Sequence, residues 1–441
     1  MKRKKKKWPR VLLGILGGLV GVYLLVFAVN CFCSLALRAY IRSFEPVDYG
    51  GERVTPVYDE ALGHYAITTD RDVKVMMLSD VHIGGGCWSL KKDKKTVYEV
   101  ITMLRAEKPD LVILGGDNTF AVPGPVYNGG GTLNNAMAAR DVLAIFEHEG
   151  VYFTTVFGNH DTEAFGYVNR VKLGKIYESE KYPHCIFKSE FSDPESPRPS
   201  VSNQIVAVKN PSGAVERLIL LMDTNDYIDG SIASTVNWRY DTIHPAQVEW
   251  ARDEVLRLSA SAGLPEGEGL KTLCFFHIPV GEYETAYREL AANGFADAGD
   301  SEYIEGVWDE QIDEEMGGRV WFGGCHRTDE DPNDIDGFFE ALGPDGINAL
   351  EACFCGHDHV NNVFVRYRGV LLGYNYSIDN LAYTGLDSVG AQRGCTVFTL
   401  ESGGAWSYER KNAYRDCGVD ANLFVDVRTD ELLYPGWAPA G

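Results

Sequence analysis

Acidic residues are missing from the first 42 positions, which hold nine Lys or Arg. Charge of either sign is missing from positions 11–33. Beyond position 42 the scarcity reverses: 32 basic residues stand against 63 acidic ones, a net −31. A body this acidic excludes a non-specific nucleic-acid binder, which needs cationic surface to neutralise phosphates, so no nucleic-acid partner is expected. No internal repeat or long low-complexity tract occurs, which excludes a repeat array. The ten cysteines show no tight spacing, so no disulfide framework can be read from them. What is present looks ordinary: 45% apolar and 24% charged residues rule out wholesale disorder. About 400 residues can bury a sizeable core, as one large domain or two.

Positions 2–10 (KRKKKKWPR) carry seven positive charges, and 11–33 (VLLGILGGLVGVYLLVFAVNCFC) carry none. About 20 apolar residues in a helix cross the hydrocarbon core with every backbone bond satisfied internally. The lysine block stays cytoplasmic by the positive-inside rule, which places the rest outside. The expectation is a single-pass cell-membrane protein: a cytoplasmic tail over 1–10, a transmembrane signal-anchor over 11–33, a linker and the start of the body over 34–70, and an extracellular domain over 71–441. A cleaved signal peptide has the same polarity, but its apolar region is usually about 7–15 residues with a small-residue cleavage site. No clean site is present, and Asn30 before Cys31 fits a lipoprotein signal poorly. A buried core helix is opposed by the length and the flanking charge. Disulfides can form in an exported body, which would hold eight of the ten cysteines. Cys353 and Cys355, two apart on a strand, read as small buried apolar residues rather than a metal pair.

Within the body, short apolar runs alternate with helical stretches. The runs are 73–79 (VKVMMLS), 111–114 (LVIL), 151–157 (VYFTTVF), 218–222 (LILLM), 273–276 (LCFF) and 352–355 (ACFC). Such runs read as strands buried on both faces. Helices are predicted over 94–106, 135–149, 245–259 and 282–293, and 192–202 (SDPESPRPSVS) reads as a surface loop. The alternation predicts an α/β layered fold. Several strand-like runs from 361 to about 409 make the sheets mixed.

Nearly every run stops at a polar cluster: Asp80-Val-His82, Gly115-Gly-Asp117-Asn118, Gly158-Asn159-His160-Asp161, His277, and Gly356-His357-Asp-His359. Sites in open α/β sheets form beyond the carboxyl ends of strands. Carboxylate, imidazole and amide oxygen suit divalent cations. Asp80, His82, Asp117, Asn159, His277, His357 and His359 make seven candidate ligands, too many for one tetrahedral ion. They suit two ions sharing a carboxylate, an arrangement that clamps an in-line phosphoryl displacement and generates hydroxide at neutral pH. Two carboxylates against two dications leave the cluster about +2, which attracts a phosphate dianion despite the acidic surface. Each motif alone has an ordinary explanation as a turn. Five in chain order, each closing an apolar run, do not.

In that order the motifs resemble the calcineurin-like metallophosphoesterase superfamily, over about 73–362. The resemblance implies a four-layer αββα sandwich with mixed sheets, here preceded by the transmembrane helix. It implies one ion held by Asp80, His82 and His359, another by Asn159, His277 and His357, and Asp117 between them. His160 would contact the substrate phosphate or protonate the leaving oxygen, Asp161 would orient His160, and Asn118 would shape its turn. A closer likeness, to purple-acid-phosphatase-like enzymes without the extra N-terminal domain, runs through 157–161, 240–250 (YDTIHPAQVEW), 276–279 (FHIP), 338–343 and 356–361. It departs at Phe120, where purple enzymes place a ligating Tyr, so no tyrosinate–iron colour is expected and the metals stay open among Mn, Zn and Fe, divalent or mixed-valence.

The implied activity is hydrolysis of a phosphoester substrate by metal-bound hydroxide, foremost on phosphomonoesters. A phosphodiesterase acting on nucleotides or lipid head groups is the alternative, because both reactions need the same clamp. A non-catalytic surface protein with a metal-dependent phosphate site is a second one. Smaller features have plainer readings. Asp329, Asp331 and Asn333 with Glu340 echo a calcium loop, but Asp334 replaces its Gly and Pro332 intrudes. Gly84-Gly-Gly86 either approaches substrate or makes a turn. Asp223 to Tyr227 reads as a turn near the pocket, Glu282 as a rim residue, Cys325-His326 as a loop and Trp250 as core.

Overall fold

The computed structural model describes residues 8–47, 49, 53–122, 133–163, 166–193, 199–228, 240–307, 337–382, 393–421 and 423. Cys325-His326, the acidic run 329–334 and most of the basic tail lie outside the described residues.

Among the described residues, fourteen strands form two mixed sheets. They are β1 (Val57–Asp59), β2 (His64–Thr68), β3 (Val73–Leu78), β4 (Leu111–Gly115), β5 (Tyr152–Val156), β6 (Gln204–Lys209), β7 (Val215–Leu221), β8 (Thr272–Phe275), β9 (Ser301–Glu305), β10 (Leu350–Cys355), β11 (Phe364–Tyr367), β12 (Val370–Tyr374), β13 (Gly394–Leu400) and β14 (Trp406–Asn412). One sheet runs β1-β2-β6-β7-β8-β10-β12-β11-β9 and the other β14-β13-β3-β4-β5. The helices are α1 (Trp8–Ile41), α2 (Leu90–Glu107), α3 (Asn135–Glu149), α4 (Arg170–Tyr177), α5 (Pro245–Ser261), α6 (Gly281–Ala292) and α7 (Phe338–Leu342).

The central strands pair in parallel: β3 with β4, β4 with β5, β7 with β8, and β8 with β10. Parallel strands covered on both faces carry unbroken apolar runs, which is why these segments do not alternate. One side of each sheet meets the other sheet through Val75, Ile113, Ile219, Phe275, Phe354 and Phe398. Burying each such side chain contributes about 1.5–3 kcal/mol before chain entropy is counted. The outer face of β3 and β4 packs on α2 and α3, and that of β8 and β10 on α5, α6 and α7. The layering is helix, sheet, sheet, helix. Cys353 and Cys355 share the face toward α6 and are buried, and all nine cysteines among the described residues are free thiols.

Local signals set the helix ends. Asn134 caps α3 by accepting from Met137 N at 3.1 Å, and Gly150 closes it at φ 60°. Pro245 opens α5, where Gln247 accepts from His244 N at 2.9 Å.

Helix α1 has two parts. Its apolar stretch over 11–29 is exposed rather than packed on the body. Its last turns dock on the body through Asn30, Ser34, Leu37 and Ile41, all buried and spaced on one helical face. Ser34 Oγ and Arg38 Nε both donate to Asp141 Oδ1, at 2.7 and 2.5 Å. The apolar segment thus continues without a break into a helix fixed to the domain.

Candidate metal centre

The polar clusters gather at one edge, beyond the carboxyl ends of β3, β4, β5, β8 and β10. Asp80 N donates to Gly116 O and His82 N to Asp117 O, both at 3.0 Å, so the first two clusters are laced together. Ten non-glycine residues among those described have positive φ, and four are ligand candidates: Asp80 (55°), His82 (50°), Asp117 (50°) and His357 (74°). Left-handed backbone costs a non-glycine residue roughly 1–2 kcal/mol and concentrates where function needs it. Two glycines give the site its space. A Cβ on Gly116 would lie 2.5 Å from the His277 ring, and one on Gly158 would lie 2.1 Å from Asp117 Oδ1.

Two buried groups converge. Donor atoms of Asp80, His82, Asp117 and His359 lie within 4.8 Å of one another, as do those of Asp117, His277 and His357. Asp117 belongs to both. Its Oδ2 is 3.0 Å from His277 Nε2 and 3.4 Å from His82 Nε2. Asn159 joins the second group, with Oδ1 3.2 Å from His277 Nε2 and Nδ2 donating to Tyr227 Oη at 2.9 Å.

The donor set fits cations by its hydrogen bonding. His277 Nδ1 donates to Gly115 O at 2.8 Å, which leaves Nε2 a lone pair facing Asp117 and Asn159. Asp80 Oδ2 and Asp117 Oδ2 are buried with no hydrogen-bond donor. Converging acceptors without donors call for extra protons or multivalent ions. Asp117 behaves accordingly. Burial pushes its pKa up, but His277 and His160 outweigh that and hold the carboxyl well below the usual range. For His277, burial pulls down and Asp117 pushes up, with a net rise.

Asp379, absent from the sequence reading, organises half the site. Its Oδ1 lies 3.0 Å from His82 Nδ1, and its Oδ2 lies 2.9 Å from His359 Nδ1. One carboxylate thus sets both rings so that Nε2 faces inward. No motif marks it; the only sequence signal is an Asp between the strand runs of β12 and β13.

The orienter of His160 needs correction. The carboxylate on its ring is that of Glu163, with Oε2 2.8 Å from Nδ1, not that of Asp161. Residues 160–162 form a 3₁₀ turn, in which positions three apart eclipse. Glu163 therefore stacks under His160, while Asp161 turns into the core. There Asp161 accepts from Gly158 N at 2.9 Å and Thr119 N at 3.0 Å. Asn118 Nδ2 also reaches it and donates to Thr155 Oγ1 at 2.9 Å. Burial, with the Asp117 charge, pushes Asp161 up to about 6. His160 sits at the rim, its side chain 11% exposed, with Nε2 4.0 Å from Asp117 Oδ2. Burial lowers its pKa, but Glu163 and Asp117 raise it further.

Phe120 packs 5.2 Å from the His82 ring and 4.9 Å from that of His160. Tyr227 and Tyr240 stack beside the second group, and Tyr240 meets His357 edge-on at 4.4 Å. The glycine run is a turn: Gly84 N and Gly85 N donate to the buried Asp93 carboxylate, each at 3.0 Å. Asp223 pairs with Arg170, which also donates to Phe157 O and Gly158 O and so clamps the Asn159 loop. Glu282 is buried in the first turn of α6, and Trp250 stacks on Phe191 at 5.5 Å.

The sequence profile of the calcineurin-like phosphoesterases matches residues 73–361. "Phosphatase DCR2" of Saccharomyces cerevisiae is 27% identical over 251 residues, covering 54% of this chain and 38% of the yeast protein. The chain therefore matches well under half of that relative's length. "Probable inactive purple acid phosphatase 14" of Arabidopsis thaliana is 24% identical over 349 residues, 74% of either chain. "Probable inactive purple acid phosphatase 28" of the same plant is 23% identical, covering 71% of this chain and 72% of its own. The profile match encloses all five strand-end clusters and the buried groups they form, and the chain belongs to the calcineurin-like phosphoesterase family.

Proposed function

We propose that the protein is a membrane-anchored, two-metal phosphomonoesterase. The observation that carries this is the pair of buried groups sharing Asp117. Asp80, His82 and His359 would hold one cation, and Asn159, His277 and His357 the other, with Asp117 on both. Two such cations supply Lewis acidity toward phosphoryl oxygens and lower the pKa of water.

The chain's own residues do the rest. Asp379 and Gly115 O hold the imidazoles in the tautomer that turns Nε2 inward. His160 is the rim residue with a proton to give. Glu163 anchors its Nδ1, so Nε2–H is free to protonate the leaving oxygen. Asp161 takes a structural part, tying the Gly158 turn to Thr119. The exposed apolar part of α1 over 11–29, with the lysine block before it, supports a single-pass anchor with the N-terminus cytoplasmic and the domain outside.

Two plant relatives are named inactive. Here all seven ligand positions are filled and buried, which favours turnover. The test is metal analysis of the purified protein beside a panel of mono- and diesters with Mn, Zn or Fe. About two ions per chain and monoester turnover, both lost in Asp117→Ala, are expected. Full metal occupancy with no ester turned over would instead favour a phosphate-binding surface protein.

A further inference from the structure

Resting on that reading, we propose that the metal edge faces the bilayer and that the substrate is a phosphate monoester presented by lipid in the same membrane. The direction of α1 carries the argument. At the far ends of α2 and α3, the chain leaving α1 is held by Arg105 Nη2 donating to Glu45 O at 2.8 Å and by His148 Nε2 at 3.1 Å from Phe44 O. Midway, Ser34 and Arg38 meet Asp141. Near the start of α2, Asn30 Oδ1 accepts from Cys87 N at 2.7 Å, and Gly85 lies against Ala138 near the start of α3. Helix α1 therefore runs antiparallel to α2 and α3. Both of those helices begin beyond the carboxyl ends of β3 and β4, where the metal ligands sit.

Followed backward from Asn30, α1 leaves the body at the metal edge. The free part, 11–29, is about 28 Å long at 1.5 Å per residue, close to the thickness of a hydrocarbon core. The interface then falls near Asn30 and Cys87. Cys87 is five residues from His82, a separation of at most about 18 Å.

The surface at this edge suits a membrane. Six large apolar side chains outside α1 are exposed among the described residues: Val47, Val57, Trp88, Tyr167, Val171 and Leu423. Trp88, Tyr167 and Val171 lie at the metal edge, and they include both aromatics. Tyr167 N donates to Leu133 O just before α3, and Val171 follows the Arg170 clamp. Trp and Tyr favour the headgroup level. The first turn of α2 brings Lys91, exposed, and Lys92, half-buried, to this edge of a body of net −31, while Lys95 turns inward to Glu99. Basic residues beside an anchor attract anionic lipid. In the reaction, water adds its oxygen to phosphorus, the bond from phosphorus to the lipid oxygen breaks, and the lipid alcohol leaves with a proton as inorganic phosphate forms.

The full chain, reconstituted in phosphatidylcholine vesicles containing phosphatidic acid, is assayed for phosphate release beside glycerol 3-phosphate, the same ester without tails. Lipid turnover is expected to exceed glycerol phosphate turnover by roughly tenfold or more, because sharing a bilayer raises the effective concentration. A flexible Gly/Ser insertion of about 12 residues after Val29, with a reach near 20 Å, should leave glycerol phosphate turnover unchanged and lower lipid turnover several-fold. Brominated lipid should quench tryptophan emission in the parent protein, and Trp88→Phe should remove that component. Glycerol phosphate hydrolysed while phosphatidic acid in the same bilayer is spared overturns the proposal and leaves the phosphoesterase reading standing. If neither ester is hydrolysed, the phosphoesterase reading fails. In that case absence of Trp88 quenching also overturns the orientation.

Discussion

Asp379→Asn isolates what the shared carboxylate does for the metal centre. Asp379 Oδ1 accepts from Leu381 N at 2.7 Å and Ala382 N at 2.9 Å, and it also faces His82 Nδ1. The amide oxygen of Asn will take that place, because two backbone N–H groups donate to it. The NH₂ group then falls where Oδ2 stood, 2.9 Å from His359 Nδ1. Two donors now oppose each other. His359 must either lose a charge-assisted hydrogen bond, about 1.5–3 kcal/mol, or move its proton to Nε2. The second option puts an N–H where a lone pair should meet a cation. Losses of 10–100-fold in affinity, about 1.4–2.7 kcal/mol, are typical for such outer contacts. The change should fall on the cation of the Asp80, His82 and His359 group and spare the one near His277. Chelator competition should show one weakened site and one unchanged, and p-nitrophenyl phosphate turnover should recover at raised metal concentration. Affinities at both sites unchanged from the parent, with an unchanged melting temperature, would refute the reasoning.

Other outcomes follow from the same contacts. Glu163→Gln removes a charge that raises the His160 pKa. An acid loses activity as pH climbs through its pKa, so the alkaline limb of the kcat profile should move to lower pH; an unmoved limb would take His160 out of the acid role. Burial, outweighing Arg38 and Ser34, pushes Asp141 up to about 6, above its unfolded value of 3.8. Between those values the folded chain holds a proton that the unfolded chain has released. Stability from this group is full below about pH 4 and is lost as pH rises toward 6, by up to about 1.4 kcal/mol per pH unit. Asp141→Asn should flatten that slope in urea titrations across the window. Arg170→Met leaves Asp223 buried without its cation and should destabilise by about 3–5 kcal/mol, read from the urea midpoint.

Much was legible in the residues because the signals are local. A parallel strand buried on both faces must be an unbroken apolar run, and it must end where the chain turns, so 111–114 and 352–355 announced both a strand and the position of the polar residues after it. The helix over 135–149 carries its cap and its closing glycine in its own sequence. The seven ligand candidates could be named because each closes such a run at one edge of the sheets.

What the chain order left open was settled by packing between distant segments. The same string of residues is compatible with Asp161 or Glu163 beneath His160, and a 3₁₀ turn chose Glu163 by its three-residue period. Asp379 lies 20 positions beyond His359 with no motif around it, and only the crossing from β12 to β13 brings it under two imidazoles at once. The apolar N-terminal stretch is readable as a span from hydropathy alone. That it docks through Asn30, Ser34, Leu37 and Ile41, and leaves at the metal edge, depends on contacts up to 107 residues apart in the chain. Periodicity reports what one element buries. Which partner it buries against, and in which direction, is an energy shared between elements, and that energy exists only once both are in place.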